Sequence, residues 1–136
     1  MDACFSRRSL LVAGGAGLGA LTLAACGGSP VPEVDGVAPG GRIVALADVP
    51  VGGVYELSVD GHRVVLAQPT AGTVVGFDAT CTHQGCTVRA TEGGPLACPC
   101  HGSEFDPVTG EVLQGPAVRP LAPFAVTVSG ADVVLA

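Results

Sequence analysis

The sequence predicts an all-β fold, with antiparallel sheets stacked on one another. Three observations predict it. β-rich runs follow one another from residue 42 onward, each bounded by Gly, Pro or Asp. No segment after residue 26 repeats its apolar residues at helical period. The apolar content is 48% of 136 residues, yet only 4% are aromatic and Trp is absent. A core built on Val, Leu and Ala suits sheets packed face to face.

The expected strands run in order. Arg42–Ala47, Gly53–Val59, Arg63–Gln68 and Thr73–Phe77 are the first four. Val59-Asp60-Gly61 is a hairpin-turn signal between the second and third, which makes His62 a solvated residue flanking the turn. Thr87–Thr91 and Pro95–Ala97 form a short hairpin with Gly93-Gly94 at its turn. Phe124–Val128 and Asp132–Leu135 form a closing hairpin through Ser129-Gly130.

The start of the chain reads as an address. Ser6-Arg7-Arg8-Ser9-Leu10-Leu11 is a twin-arginine pattern, followed by an apolar stretch from Leu10 to Ala25. That stretch is rich in Gly and Ala and too short for a confident spanning helix. It ends in Leu23-Ala24-Ala25-Cys26, which resembles the lipobox of bacterial lipoproteins. Residues 1–25 are therefore expected to be an export signal and Cys26 a lipidation site. An uncleaved anchor and an ordinary cleaved signal are the alternatives. Residues 26–41 are Gly- and Pro-rich and read as a flexible tether. Residues 42–136 form the one domain.

From Cys26 onward the chain has four arginines, no lysine and eleven acidic residues. This balance argues against nucleic acid and against polybasic membrane binding, and mildly favours a basic partner. Membrane attachment would fall to acyl chains on Cys26.

Two short runs carry the chemistry: Cys81-Thr82-His83-Gln84-Gly85-Cys86 and Cys98-Pro99-Cys100-His101-Gly102-Ser103. Each supplies one Cys and one His at metal-ligand spacing, and each carries a second Cys. Zinc also takes two Cys and two His, but zinc fingers pair Cys with Cys and His with His along the chain. A domain stapled only by disulfides suits an exported chain, but leaves both histidines without a role. Two thiolates on one iron and two imidazoles on the other is the ligand set of a Rieske [2Fe–2S] centre. Neutral imidazole in place of thiolate makes the iron easier to reduce. Such centres lie between roughly −150 and +300 mV, against about −400 mV for all-Cys plant-type clusters.

On these motifs the chain resembles the Rieske iron–sulfur protein family over roughly residues 42–136. The resemblance implies one [2Fe–2S] cluster, with Cys81 and Cys98 on one iron and His83 and His101 on the other. It implies a disulfide between Cys86 and Cys100, as in the cytochrome bc1 and b6f type. It also implies stacked antiparallel sheets with a small cluster-binding subdomain. Ser103 matches the serine that donates to a bridging sulfide. Gly115-Pro116-Ala117 resembles the start of the proline loop that covers the cluster. The family's tyrosine two residues past the serine is Phe105 here, so one donor to sulfur is gone. That predicts a potential below that of quinol-oxidising relatives with tyrosine. Only 14 residues separate His83 from Cys98, so the hairpin between the loops should be trimmed.

The resemblance implies electron transfer, with a proton coupled through the cluster histidines, and the export signal implies that it takes place outside the cytoplasm. Twin-arginine export suits it, because the site exists only in the folded state. The expected partner is a redox protein, with membrane quinol and cytochrome complexes among the candidates. The alternatives are the Rieske subunit of a bc1-type quinol–cytochrome c oxidoreductase and the small subunit of a molybdenum oxidase. A redox sensor or structural module is the reading from another class. A Rieske oxygenase catalytic subunit is excluded, since the chain has no room for a mononuclear iron domain.

Overall fold

A computed structural model describes residues 30–136. The expected export signal over residues 1–25 and the expected lipidation site at Cys26 lie outside the described residues. The strands are β1 (Glu33–Val34), β2 (Arg42–Ala45), β3 (Val54–Val59), β4 (His62–Thr70), β5 (Thr73–Asp78), β6 (Arg89–Ala90), β7 (Leu96–Ala97), β8 (Glu104–Phe105), β9 (Val112–Gln114), β10 (Val126–Ser129) and β11 (Asp132–Leu135). They form three sheets, ordered β1-β3-β4-β5, β10-β11-β2 and β6-β7-β8-β9. Every pairing is antiparallel except β1 with β3. Among the described residues no helix is long and apolar enough to cross a membrane.

The β1–β5 sheet lies between two cores, and β4 shows why. Successive side chains of a strand point to opposite faces. Val64 and Leu66 enter one core with Ile43, Val44, Leu57 and Val133. Val65 enters the other with Phe77, Leu96, Phe105, Cys81 and Cys98. With both faces covered, β4 reads as an unbroken apolar run, Val64-Val65-Leu66-Ala67. The second core therefore carries the two cysteines and belongs to the β6–β9 subdomain. The Glu56 carboxylate on β3 accepts the Ala90 N–H of β6 at 2.5 Å and ties that subdomain to the body.

The Asp60-Gly61 turn has φ of 49° and 79°, the double left-handed conformation of a two-residue hairpin, and His62 beside it is exposed as expected. The first expected strand stops at Ala45, and Leu46–Asp48 is a single 3-10 turn. The buried Gln68 amide accounts for the bend, since its Nε2 donates to the Val49 carbonyl and its Oε1 accepts from Gly72. The closing hairpin turns one residue later than expected, with Ser129 opposite Asp132.

The tether expected over residues 26–41 is corrected at its C-terminal end. From Pro32 the chain is bonded to the body: the Pro32 carbonyl accepts from Ser58, Val34 from Asp60, and Gly40 donates to Leu135. Strand β1 adds to the edge of β3 because that edge offers unpaired backbone groups.

Candidate metal centre

Two loops emerge from the subdomain with the same backbone plan. In the first, Cys81 N–H donates to the Cys86 carbonyl at 2.7 Å and Gly85 N–H donates back to Cys81 at 2.9 Å. In the second, Cys98 N–H donates to Ser103 at 2.8 Å and Gly102 N–H donates to Cys98 at 3.0 Å. Each loop thus closes on its first cysteine. Gly85 and Gly102 have φ of 77° and 78°. A side chain at Gly85 would meet nothing within 4 Å, so the demand for glycine is conformational rather than steric. A residue with Cβ pays roughly 1–2 kcal/mol there.

The cysteines sort into two kinds. Cys86 and Cys100 form a disulfide with an S–S distance of 2.02 Å, which joins the loops. Cys81 and Cys98 are free thiols, each 2% exposed. Burial alone would raise the Cys81 thiol. The N–H groups of His83 and Gln84 and the side chains of Cys98 and Ser103 outweigh it and hold the thiol below its ordinary value. The sulfurs of Cys86, Cys98 and Cys100 lie within 4.8 Å of one another, but two of them are spent in the disulfide and cannot act as thiolate ligands.

The histidines face the other way. His83 and His101 are exposed, and their rings meet edge to face with centroids 4.9 Å apart. The fold therefore brings two buried thiols and two exposed imidazoles together from two loops. This donor set fits a [2Fe–2S] cluster: soft anionic sulfur inside, neutral nitrogen at the rim.

A third segment covers the loops. Gln114 Nε2 donates to the Gly102 carbonyl at 2.9 Å. The Gly115–Pro116 peptide is cis. Ala117 N–H donates to Ser103 Oγ at 3.0 Å. Thr82 Oγ1 donates to the Arg119 carbonyl at 2.6 Å, and Arg119 Nη2 returns a bond to the Thr82 carbonyl at 3.3 Å. Ala117 and Leu121 are buried beneath it. Ser103, fully buried, accepts from the covering segment and is among the groups that hold the Cys81 thiol down. Phe105, also fully buried, packs in the same core as both free cysteines. The clasp between Thr82 and Arg119 and the Gln114 bond were not legible beforehand, because they join residues 37 and 12 positions apart. Past the second loop, Asp106 accepts the Thr109 and Val108 N–H groups, which holds its carboxyl below the usual range. A cleft of about 590 Å³ beside Pro50, Val54, Ala67 and Glu92 contains neither histidine nor cysteine.

All-β stacked sheets, twin loops and a paired thiol and imidazole set define an iron–sulfur protein of the two-histidine class. The profile of the Rieske [2Fe–2S] domain matches residues 41–125, and the chain belongs to that family and carries one [2Fe–2S] cluster. It is 44% identical over 71 residues to the cytochrome b6-f complex iron-sulfur subunit 1 of Nostoc sp., covering 51% of this chain and 38% of that protein. It is 40% identical over 81 residues to the corresponding subunit of Parasynechococcus marenigrum, covering 59% of this chain and 45% of that protein. The chain thus spans less than half the length of these curated relatives. Among solved structures, it is similar to the cyanobacterial plasma membrane Rieske protein PetC3 from Synechocystis. The TM-score is 0.60 and the identity 33%, over 70% of this chain and 97% of that one. The ferredoxin of carbazole 1,9a-dioxygenase from Nocardioides aromaticivorans shares the fold, at TM-score 0.59 and 23% identity over 73% of this chain and 98% of that one.

Proposed function

We propose that this protein is a one-electron carrier tethered to the outer face of a bacterial cell membrane. Cys81 and Cys98 hold one iron, and His83 and His101 hold the other. When bound, the cluster supplies one-electron redox chemistry at potentials above those of all-Cys clusters. The chain's own residues do the rest. Buried Cys81 and Cys98 keep solvent from the sulfur side. Ser103 donates toward Cys81, and the segment from Gly115 to Leu121 lies over the loops as a cover. His83 and His101 present ring edges to solvent, and the outer ring nitrogens hold or release a proton, so electron uptake and proton uptake are linked. The twin-arginine pattern supports export of the folded protein, and the Leu23-to-Cys26 sequence supports a lipid anchor at Cys26.

The observation that carries this reading is the pair of exposed imidazoles, 4.9 Å apart, above two buried free thiols. The test is a redox titration of the full chain in detergent at several pH values, followed by EPR. A single one-electron transition well above plant-type potentials, falling as pH rises through the histidine ionisation, is expected. A low, pH-independent transition overturns proton coupling, and no transition overturns the carrier.

A second reading is the Rieske subunit of a quinol-oxidising membrane complex. The b6-f subunit relatives favour it. Co-purification of cytochrome with the tagged chain from mild detergent would select it over a free carrier.

A further inference from the structure

Charge is unevenly spread over this chain. Residues 30–136 hold eleven carboxylates and four arginines. The two loops, 81–86 and 98–103, and the covering segment, 112–124, hold no carboxylate and one arginine, Arg119. Of the carboxylates adjoining them in sequence, Glu111 is exposed just ahead of the covering segment, and two others are engaged or shielded. Asp78 accepts the Thr80 N–H at 2.8 Å. Glu104 is half-buried in β8. The same end of the molecule shows apolar side chains to solvent, Val118 at 89% and Leu113 at 58% exposure. These are two of the four large hydrophobics exposed among the described residues.

Arg119 is held in place there. Its carbonyl takes the Thr82 hydroxyl and its guanidinium reaches the Thr82 carbonyl, one residue from His83. A guanidinium has five N–H donors, and this contact uses one. The ion pair among the described residues is Arg42 with Asp132, so Arg119 meets no carboxylate there. Its charge faces solvent beside the imidazoles.

We propose that Arg119 is a specificity-determining residue of the electron port. In this assignment the redox partner is a protein that seats an apolar patch on Leu113 and Val118 and sets an acidic side chain against Arg119. The inference rests on the reading of His83 and His101 as the port. It reverses the expectation drawn from the chain beyond Cys26, whose eleven acidic residues against four arginines favour a basic partner. At physiological salt the screening length is about 8 Å, so a charge at the contact counts for more than carboxylates on the far faces. Complementary charge at a docking rim acts chiefly on encounter and partner choice.

The test uses two inorganic oxidants of opposite charge, hexacyanoferrate(III) and tris(phenanthroline)cobalt(III), against the dithionite-reduced full chain in stopped flow. One electron passes from the protein to one metal ion, giving Fe(II) or Co(II), with no bond formed to the protein. Arg119→Gln is expected to slow the anionic oxidant about threefold and to speed the cationic one about threefold near 10 mM salt. Both differences should vanish near 0.5 M salt. Arg119→Lys, which keeps the charge and loses the planar fork, should react like the unaltered chain. If Arg119→Gln shifts both oxidants in the same direction, the residue acts on driving force or structure and the inference fails. If neither oxidant responds, it fails equally. Absence of reversible one-electron chemistry in the unaltered chain overturns the port itself, a separate and distinguishable result.

Discussion

Replacing Ser103 with Ala removes one oxygen that serves two neighbours. The residue is fully buried, and its Oγ accepts the Ala117 N–H at 3.0 Å. Ala117 is itself 3% exposed, so the stranded N–H has no route to water. An unsatisfied buried donor costs about 1–3 kcal/mol. For a domain of this size each kcal/mol lowers the melting temperature by roughly 4–8 °C. The variant should therefore melt roughly 5–20 °C below the unaltered protein. The same hydroxyl also helps hold the Cys81 thiol below its ordinary value. Losing a donor to sulfur disfavours the more negative, reduced state. If the two redox states differ by about 1 kcal/mol in that bond, the potential falls by about 40 mV. Thermal melts followed by circular dichroism read the first effect, and mediated redox titration reads the second. Ser103→Thr separates them, since it keeps the hydroxyl but adds a methyl where no space is exposed. It should lose stability and retain the potential. A Ser103→Ala protein with both quantities unchanged would refute the bridging role.

Phe105→Tyr should raise the potential, by about 40 mV if its hydroxyl finds a cluster sulfur, and a redox titration showing no rise would sink the argument. Replacing Cys86 and Cys100 together with Ser opens a cross-link between residues 14 apart. That should cost about 3 kcal/mol in chemical denaturation, and a loss below about 1 kcal/mol would contradict it. Asp106 stabilises the fold through its ionised form, because the Thr109 and Val108 N–H groups depress its carboxyl. Its contribution is present above the unfolded-state value and is lost as pH falls through the lower folded one. Asp106→Asn should therefore show a shallower loss of stability below about pH 4 than the unaltered chain, as measured by urea midpoints across pH 3–7.

Long strands and ligand spacing were legible in the sequence because both are local. β3, β4 and β5 each carry six or more residues of β-rich pattern, enough to declare themselves. The Asp60-Gly61 signal located its turn because the required backbone conformation selects those residues. Strands β1, β8 and β9 were not read, since two or three residues carry no period. They exist through their partners: Glu33–Val34 through the free edge of β3, and Glu104–Phe105 through β7. At the site, the Cys86–Cys100 pairing followed from resemblance, and the structure bears it out. The two roles of Ser103 divide likewise. The motif marks Ser103 as a donor to a bridging sulfide, whereas its grip on Ala117 depends on where the covering segment lies. Arg119 stood unremarked because nothing in its neighbourhood of the sequence identifies Thr82 as its contact.

The docking of the N-terminal segment on β3 bears on distance. The body takes hold of the chain at Pro32, and only five residues stand between it and Cys26. With the proposed anchor at Cys26, that stretch can span at most about 20 Å even fully extended. A leash drawn through residue 41 would have been more than twice as long. A domain so held would be a short-armed relay, able to turn about its attachment but not to range outward to find an acceptor. With that anchor, its electron partner would have to come to the membrane surface, or stand there already.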